Sequence, residues 1–154
     1  MIAVDTNILV YADASPDFDR RSAVALQLIE RLSLGQGCIP VQVLGEFLNV
    51  SRRKGLIPVE RALERIAAYA LLFETPITFL ADLERGAGLA DDYRLQFFDA
   101  VIISVAQRAG ATLLLSEDMH DGLVIDGLTI INPFVAANES VLSDYLSEIG
   151  PNAA

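Results

Sequence analysis

Phe98–Asp99–Ala100–Val101–Ile102–Ile103–Ser104–Val105–Ala106–Gln107–Arg108–Ala109–Gly110–Ala111–Thr112–Leu113–Leu114–Leu115–Ser116–Glu117–Asp118 combines two kinds of apolar run. Residues 98–109 are apolar almost all round, which predicts a helix buried beneath other elements, stopped at Gly110. Residues 112–115 are a short continuous apolar run, the mark of a strand in a parallel sheet covered on both faces. A buried helix feeding a buried strand is the unit from which α/β folds are built. An acid stands near each end of the stretch, Asp99 at the start of the helix and Asp118 just past the strand.

Working outward, residues 2–5 read as a second buried strand, and Asn7–Ile8–Leu9–Val10–Tyr11 as its continuation into a polar loop. Ser15–Pro16–Asp17 supplies an N-cap, a first-turn proline and a first-turn acid for a helix to about residue 33, closed by Gly35 and Gly37. A brief strand is expected over 38–40. In residues 41–54 the apolar positions Val43, Leu44, Phe47, Leu48 and Val50 keep helical spacing, and Gly55 fits the position just past the end. Pro58 opens a further helix to about residue 73. Residues 77–79 look like a strand, 81–93 like a polar helix weakened by Gly86 and Gly88, and 128–131 like another parallel strand. Together these elements predict a three-layer α/β/α sandwich with a central parallel sheet. One domain is expected over residues 1–154, with a tail from about 132 in which Val141, Leu142, Tyr145 and Leu146 form a short amphipathic helix.

Composition narrows the partners. Hydrophobic residues make up 53% of the chain, yet no apolar run approaches the roughly 18–20 residues of a membrane span, so the surplus points to protein interface and a homodimer. Met1 leads straight into the first strand without a basic and then apolar leader, and Cys38 is the single cysteine; the expectation is a cytoplasmic protein. A net charge of −10 argues against a broad basic surface coating nucleic acid, though not against a nuclease, whose metal site itself adds negative charge. The dense basic groups are Arg20–Arg21 and Arg52–Arg53–Lys54, candidates for gripping the phosphates of RNA or simply solvated helix faces.

Four acids carry the functional argument. Asp5, Glu46, Asp99 and Asp118 each interrupt or end a core-forming run, where an ionised carboxylate is costly unless paired or metal-bound. In an open parallel sheet ligands collect beyond the carboxyl ends of the strands. Asp5 and Asp118 follow strands, Asp99 starts a helix whose dipole favours an anion, and Glu46 lies in the helix after the second strand. A shared site of this kind selects Mg²⁺ or Mn²⁺, since zinc prefers the His and Cys ligands that are scarce here. The chemistry implied is phosphodiester hydrolysis. Aspartyl-phosphate enzymes are disfavoured because they need a late lysine, and Lys54 is the last lysine in the chain. No Gly-rich phosphate loop is present.

Asp5–Thr6–Asn7, Gly45–Glu46–Phe47, Phe98–Asp99–Ala100 and Leu115–Ser116–Glu117–Asp118, in this order and spacing, resemble the PIN-domain nucleases. The chain's size and its Asn132–Pro133–Phe134 segment look like the VapC toxins of that family. The resemblance covers nearly the whole chain. It implies a metal-dependent endoribonuclease, with Asp5, Glu46, Asp99 and Asp118 as the Mg²⁺ or Mn²⁺ site. It also implies a tRNA or rRNA substrate, a homodimer, and an antitoxin whose C-terminal segment wraps the toxin. The alternative is a catalytically silent PIN-like scaffold.

Each residue also has a plainer role. Asp5 could make a turn contact to its own backbone, Asp99 could be a helix cap, and Glu117 or Asp121 competes with Asp118. Glu46 has no basic residue three or four positions on, which leaves it without a helical ion pair in that direction. Thr6, Asn7 and Ser116 either orient carboxylates and waters or form turns. His120 is a less favoured general base, since metal-bound water needs none, and Cys38 reads as core filler.

Overall fold

Residues 1–14 and 19–148 are described in the computed structural model of the protein. Strand β1 (Ile2–Val4) is wholly buried because it has parallel neighbours on both sides, β2 (Gly37–Cys38) and β3 (Leu113–Leu115). β3 pairs in turn with β5 (Leu128–Ile131), again parallel. A fifth strand, β4 (Val124–Ile125), lies antiparallel to β5 at the edge, giving the order β2-β1-β3-β5-β4. The helices complete a three-layer α/β/α sandwich, as expected. The chain leaves β1 for β2 on one side and returns to β3 on the other, so its direction of winding reverses at β1.

The hairpin that adds β4 was not anticipated. Asp126 and Gly127 join its strands with positive φ at both positions, 45° and 86°, as a two-residue type I′ turn requires. The Asp-Gly pair between apolar residues is the signal that was passed over.

Two further expectations are corrected. Residues 7–11 do not run on from β1 into a polar loop: Thr6–Asp13 is helix α1, and the Asp5 carboxylate accepts from the Thr6 amide at its start. Residues 77–79 are not a strand. The connection runs beside β2, with Ile39 N–H donating to the Glu74 carbonyl, Val41 N–H to Pro76 and Glu74 N–H to Gly37. Pro40 and Pro76 lack the N–H groups a longer ladder needs, so one isolated bridge, Cys38 to Glu74, remains.

Helix α2 (Arg20–Leu32) starts at Asp19, whose carboxylate accepts from the Arg21 amide; the cap expected at residues 15–17 lies outside the described residues. Helix α3 (Val41–Lys54) ends at Gly55 in the left-handed conformation, and α4 (Val59–Leu72) follows Pro58. Helix α5 (Leu80–Tyr93) packs on α6 (Phe97–Arg108), closest at Gly86, where an added Cβ would sit 2.7 Å from Val101. Residues 100–106 of α6 are buried without a break, which is why its sequence is apolar on every face. Asp82 locks this pair: it accepts from Phe79 N–H and Ser104 and pairs with Arg108. The tail packs back as α7 (Glu139–Glu148), with Leu142 buried. Cys38 is fully buried, and burial pushes its thiol up to about 12.

Candidate active site at the carboxyl edge of the sheet

Asp5 leaves the carboxyl end of β1 at the reversal point, and its amide donates to the Leu115 carbonyl, so the ends of β1 and β3 meet. Its carboxylate is 6% exposed. One oxygen accepts from the Thr6 amide at 2.7 Å and the other from Ser116 Oγ at 2.7 Å. Burial pushes this carboxyl up to about 6; those two hydrogen bonds oppose the rise, and the charges of Asp99 and Glu46 add to it. The residue therefore caps α1 and also stands among other acids.

Glu46 is half-buried on α3, accepting from Thr6 Oγ1 at 3.0 Å and from Gln42 Nε2 at 2.9 Å. The same Gln42 amide donates to the Phe98 carbonyl at the start of α6, tying the two helices together beside the acids. Gln42, one helical turn before Glu46, carries no charge that would mark it in the sequence as the partner of an acid.

Asp99 is the third residue of α6, and Gln96 holds the cap position instead. It is half-buried, and burial raises its carboxyl, with Glu46 and Asp118 adding repulsion. Among the described residues it accepts no hydrogen bond and joins no ion pair.

The loop after β3 carries three acids with different surroundings. Glu117 is consumed: it pairs with Arg21 and accepts from Tyr11 Oη at 2.6 Å, while its amide donates to Asn7 Oδ1. Asp121 braces the tail by accepting from the Asn132 amide and the Asn138 side chain. Asp118 is exposed and meets Asn7 Nδ2 alone, at 3.1 Å. Thr6, Asn7 and Ser116 thus each hold one of the four acids, and Ser116 Oγ also accepts from the Met119 amide.

The remaining candidates are placed apart from this set. Arg21 is turned to Asp19 and Glu117 and lies 4.2 Å over the Tyr11 ring, a network that sequence alone did not suggest. Arg20 is exposed on the same helix. Arg52, Arg53 and Lys54 are exposed in the last turn of α3, where cations complement the helix dipole. His120 is exposed and makes no side-chain hydrogen bond among the described residues.

Each ion pair among the described residues engages some other acid, leaving Asp5, Glu46, Asp99 and Asp118 without a cation. No three His, Cys, Asp or Glu side chains among the described residues converge as a finished metal cluster. Like charges without a counterion repel, and three of these carboxylates are turned toward neighbouring hydroxyls and amides. The donor set fits a hard divalent cation nonetheless: all oxygen, anionic, partly desolvated, with Asp99 uncommitted.

A doubly wound sheet with an acidic site at its carboxyl edge is the architecture of several phosphoryl-handling classes. This chain belongs to the PIN domain family, whose profile matches residues 2–120. Solved structures with this fold include a toxin–antitoxin complex from Klebsiella pneumoniae, 23% identical over 87% of this chain and 98% of that one, with a TM-score of 0.62. VapC20 of Mycobacterium tuberculosis, described as a sarcin–ricin loop cleaving toxin, is 21% identical over 74% of this chain and 87% of its own, at 0.56. VapBC2 from Rickettsia felis, bound to a promoter DNA fragment, is 18% identical over 86% and 98%, at 0.61. No curated protein sequence matches the chain.

Proposed function

We propose that the protein is a divalent-metal-dependent endoribonuclease, acting on tRNA or rRNA as the toxin of a toxin–antitoxin pair. The observation that carries this reading is the uncommitted Asp99 carboxylate, raised by burial and by Glu46 and Asp118 at the carboxyl edge of a PIN sheet. A toxin–antitoxin complex and a toxin that cleaves the sarcin–ricin loop share the fold, which favours this substrate class and a protein antitoxin as partner.

Asp5, Glu46, Asp99 and Asp118 would hold Mg²⁺ or Mn²⁺. Such an ion acidifies a water and neutralises charge on the phosphate in an in-line displacement. The chain supplies the rest: Ser116 and the Thr6 amide fix Asp5, Thr6 and Gln42 fix Glu46, and Asn7 fixes Asp118. Of the candidate cations, Arg20, Arg52, Arg53 and Lys54 join no ion pair among the described residues and would be offered to an RNA backbone or antitoxin. A homodimer is part of the proposal, supported by Leu71, Leu72, Ile77 and Leu80, which are 88%, 51%, 54% and 71% exposed. Among the described residues no helix is long and apolar enough to cross a membrane.

The test is cleavage of RNA by purified protein in Mg²⁺ or Mn²⁺. Activity is expected to vanish in EDTA and in a folded Asp99→Asn variant; cleavage that survives either would overturn the metal mechanism. The silent-scaffold alternative draws on the absence of a converged metal cluster among the described residues. It predicts equal effects on growth from expressing wild type and Asp5→Ala, whereas the toxin reading predicts arrest by wild type only.

A further inference from the structure

Phe98 immediately precedes Asp99 and is 62% exposed. A lone exposed phenylalanine needs no explanation by itself. This one is held at the site, because its carbonyl accepts from the Gln42 amide that also binds Glu46. Phe97, itself 39% exposed, meets the Phe98 ring edge-on, with centroids 5.2 Å apart and planes at 64°. Such an arrangement braces the ring while leaving a face to solvent.

We infer that Phe98 is a nucleobase subsite: an unpaired base of the RNA, next to the phosphate being cut, stacks on its exposed ring. The inference rests on the endoribonuclease reading and adds to it a preference for single-stranded or splayed RNA. Every base has a flat π-face, so stacking grips RNA without demanding one sequence, and it offsets the repulsion an acidic surface exerts on phosphate. Gln42 ties the Phe98 backbone to Glu46, which keeps the subsite beside the acids.

The experiment measures binding of a short fluorescein-labelled single-stranded RNA by anisotropy in Ca²⁺, with cleavage followed separately in Mg²⁺. Phe98→Ala is expected to weaken binding roughly 5- to 100-fold, with unchanged melting temperature and circular dichroism. Phe98→Tyr should restore it to within about threefold, and Phe98→Leu should not, since leucine keeps apolar contact but loses the aromatic face. Binding by Phe98→Ala at the wild-type level, rescue by leucine equal to tyrosine, or no binding by the wild type would each overturn the subsite. Loss of cleavage in Mg²⁺ with aromatic-dependent binding intact would instead sink the nuclease reading and leave the subsite standing.

Discussion

Asp118 and Asp121 are three residues apart and chemically identical, yet their surroundings assign them different work. Asp121 is spent on the Asn132 amide and the Asn138 side chain, groups that hold the tail. Among the described residues Asp118 accepts a hydrogen bond from Asn7 Nδ2 alone, and it raises Asp99 by repulsion. Asp118→Asn is expected to lower Mg²⁺ affinity at least tenfold, by calorimetric titration, with little change in melting temperature. Asp121→Asn should do the reverse, costing about 1 kcal/mol of stability through weakened hydrogen bonds and sparing the metal. Glu117 is a third case. Its side chain ties α1 and α2 to the loop through Tyr11 and Arg21, and its amide bonds Asn7, the residue that holds Asp118. Glu117→Gln should therefore lower kcat several-fold with KM nearly constant, because it loosens placement of the acid rather than contact with RNA. An increase confined to KM would show that Glu117 meets the substrate.

Among the elements, two helical glycines make opposite predictions from the same change. Gly45 lies mid-helix in α3 with open space at its Cβ position, so Gly45→Ala should stabilise the fold by up to about 1 kcal/mol. Gly86 lies where α5 meets α6, and a Cβ there would stand 2.7 Å from the Val101 side chain and 3.2 Å from its backbone. Gly86→Ala should cost roughly 1–3 kcal/mol by overpacking. Urea midpoints for the two variants check both signs. In the sequence Gly86 is only a weakness in a helix, because a close approach between helices leaves no local trace. What was legible followed from burial. Residues 100–106 of α6, β1 and β3 are almost wholly apolar because each is buried on all sides, and that covering places their flanking acids at one edge. Elements held by a few local bonds were read poorly. α1 is eight residues with Thr6, Asn7, Ile8 and Val10 arguing weakly for helix, and it is anchored by Asp5, which was being read as a ligand. β4 is two residues long and owes its existence to the Asp126–Gly127 turn. The partners of the acids were the least visible part, since Ser116 and Asp5 are distant in sequence and meet only once β1 and β3 pair.

At the scale of the whole molecule, Asp5 and Asp99 are a cost that depends on pH. Asp5 holds its proton to about pH 6 in the fold, against an ordinary value of 3.8, because burial penalises the charged form. Between about pH 4 and 6 the unfolded chain therefore gives up this proton before the folded one does. Fewer protons bound to the unfolded state means that stability falls as pH rises, by about 3 kcal/mol for Asp5 once both states have ionised. Asp99 is raised as well and acts in the same direction. Asp82, despite desolvation, is held low by Arg108, Phe79 and Ser104, and Asp19 is brought to about 2 by Arg21; both act below about pH 5 with opposite sign, so Asp5 and Asp99 dominate the upper part of this window. In EDTA the melting temperature should decline from pH 4 to 6 by roughly 5–10 °C and then level off. A divalent cation binds the ionised carboxylates and competes with the proton, so added Mg²⁺ should raise the melting temperature at pH 7.5 and lose its effect toward pH 4.5. Asp5→Asn should flatten the decline in EDTA and shrink the Mg²⁺ effect, since the same carboxylate underlies both. A melting temperature in EDTA that climbs through pH 4–6, or a Mg²⁺ effect unchanged across that range, would show that these acids neither share a site nor hold an ion together.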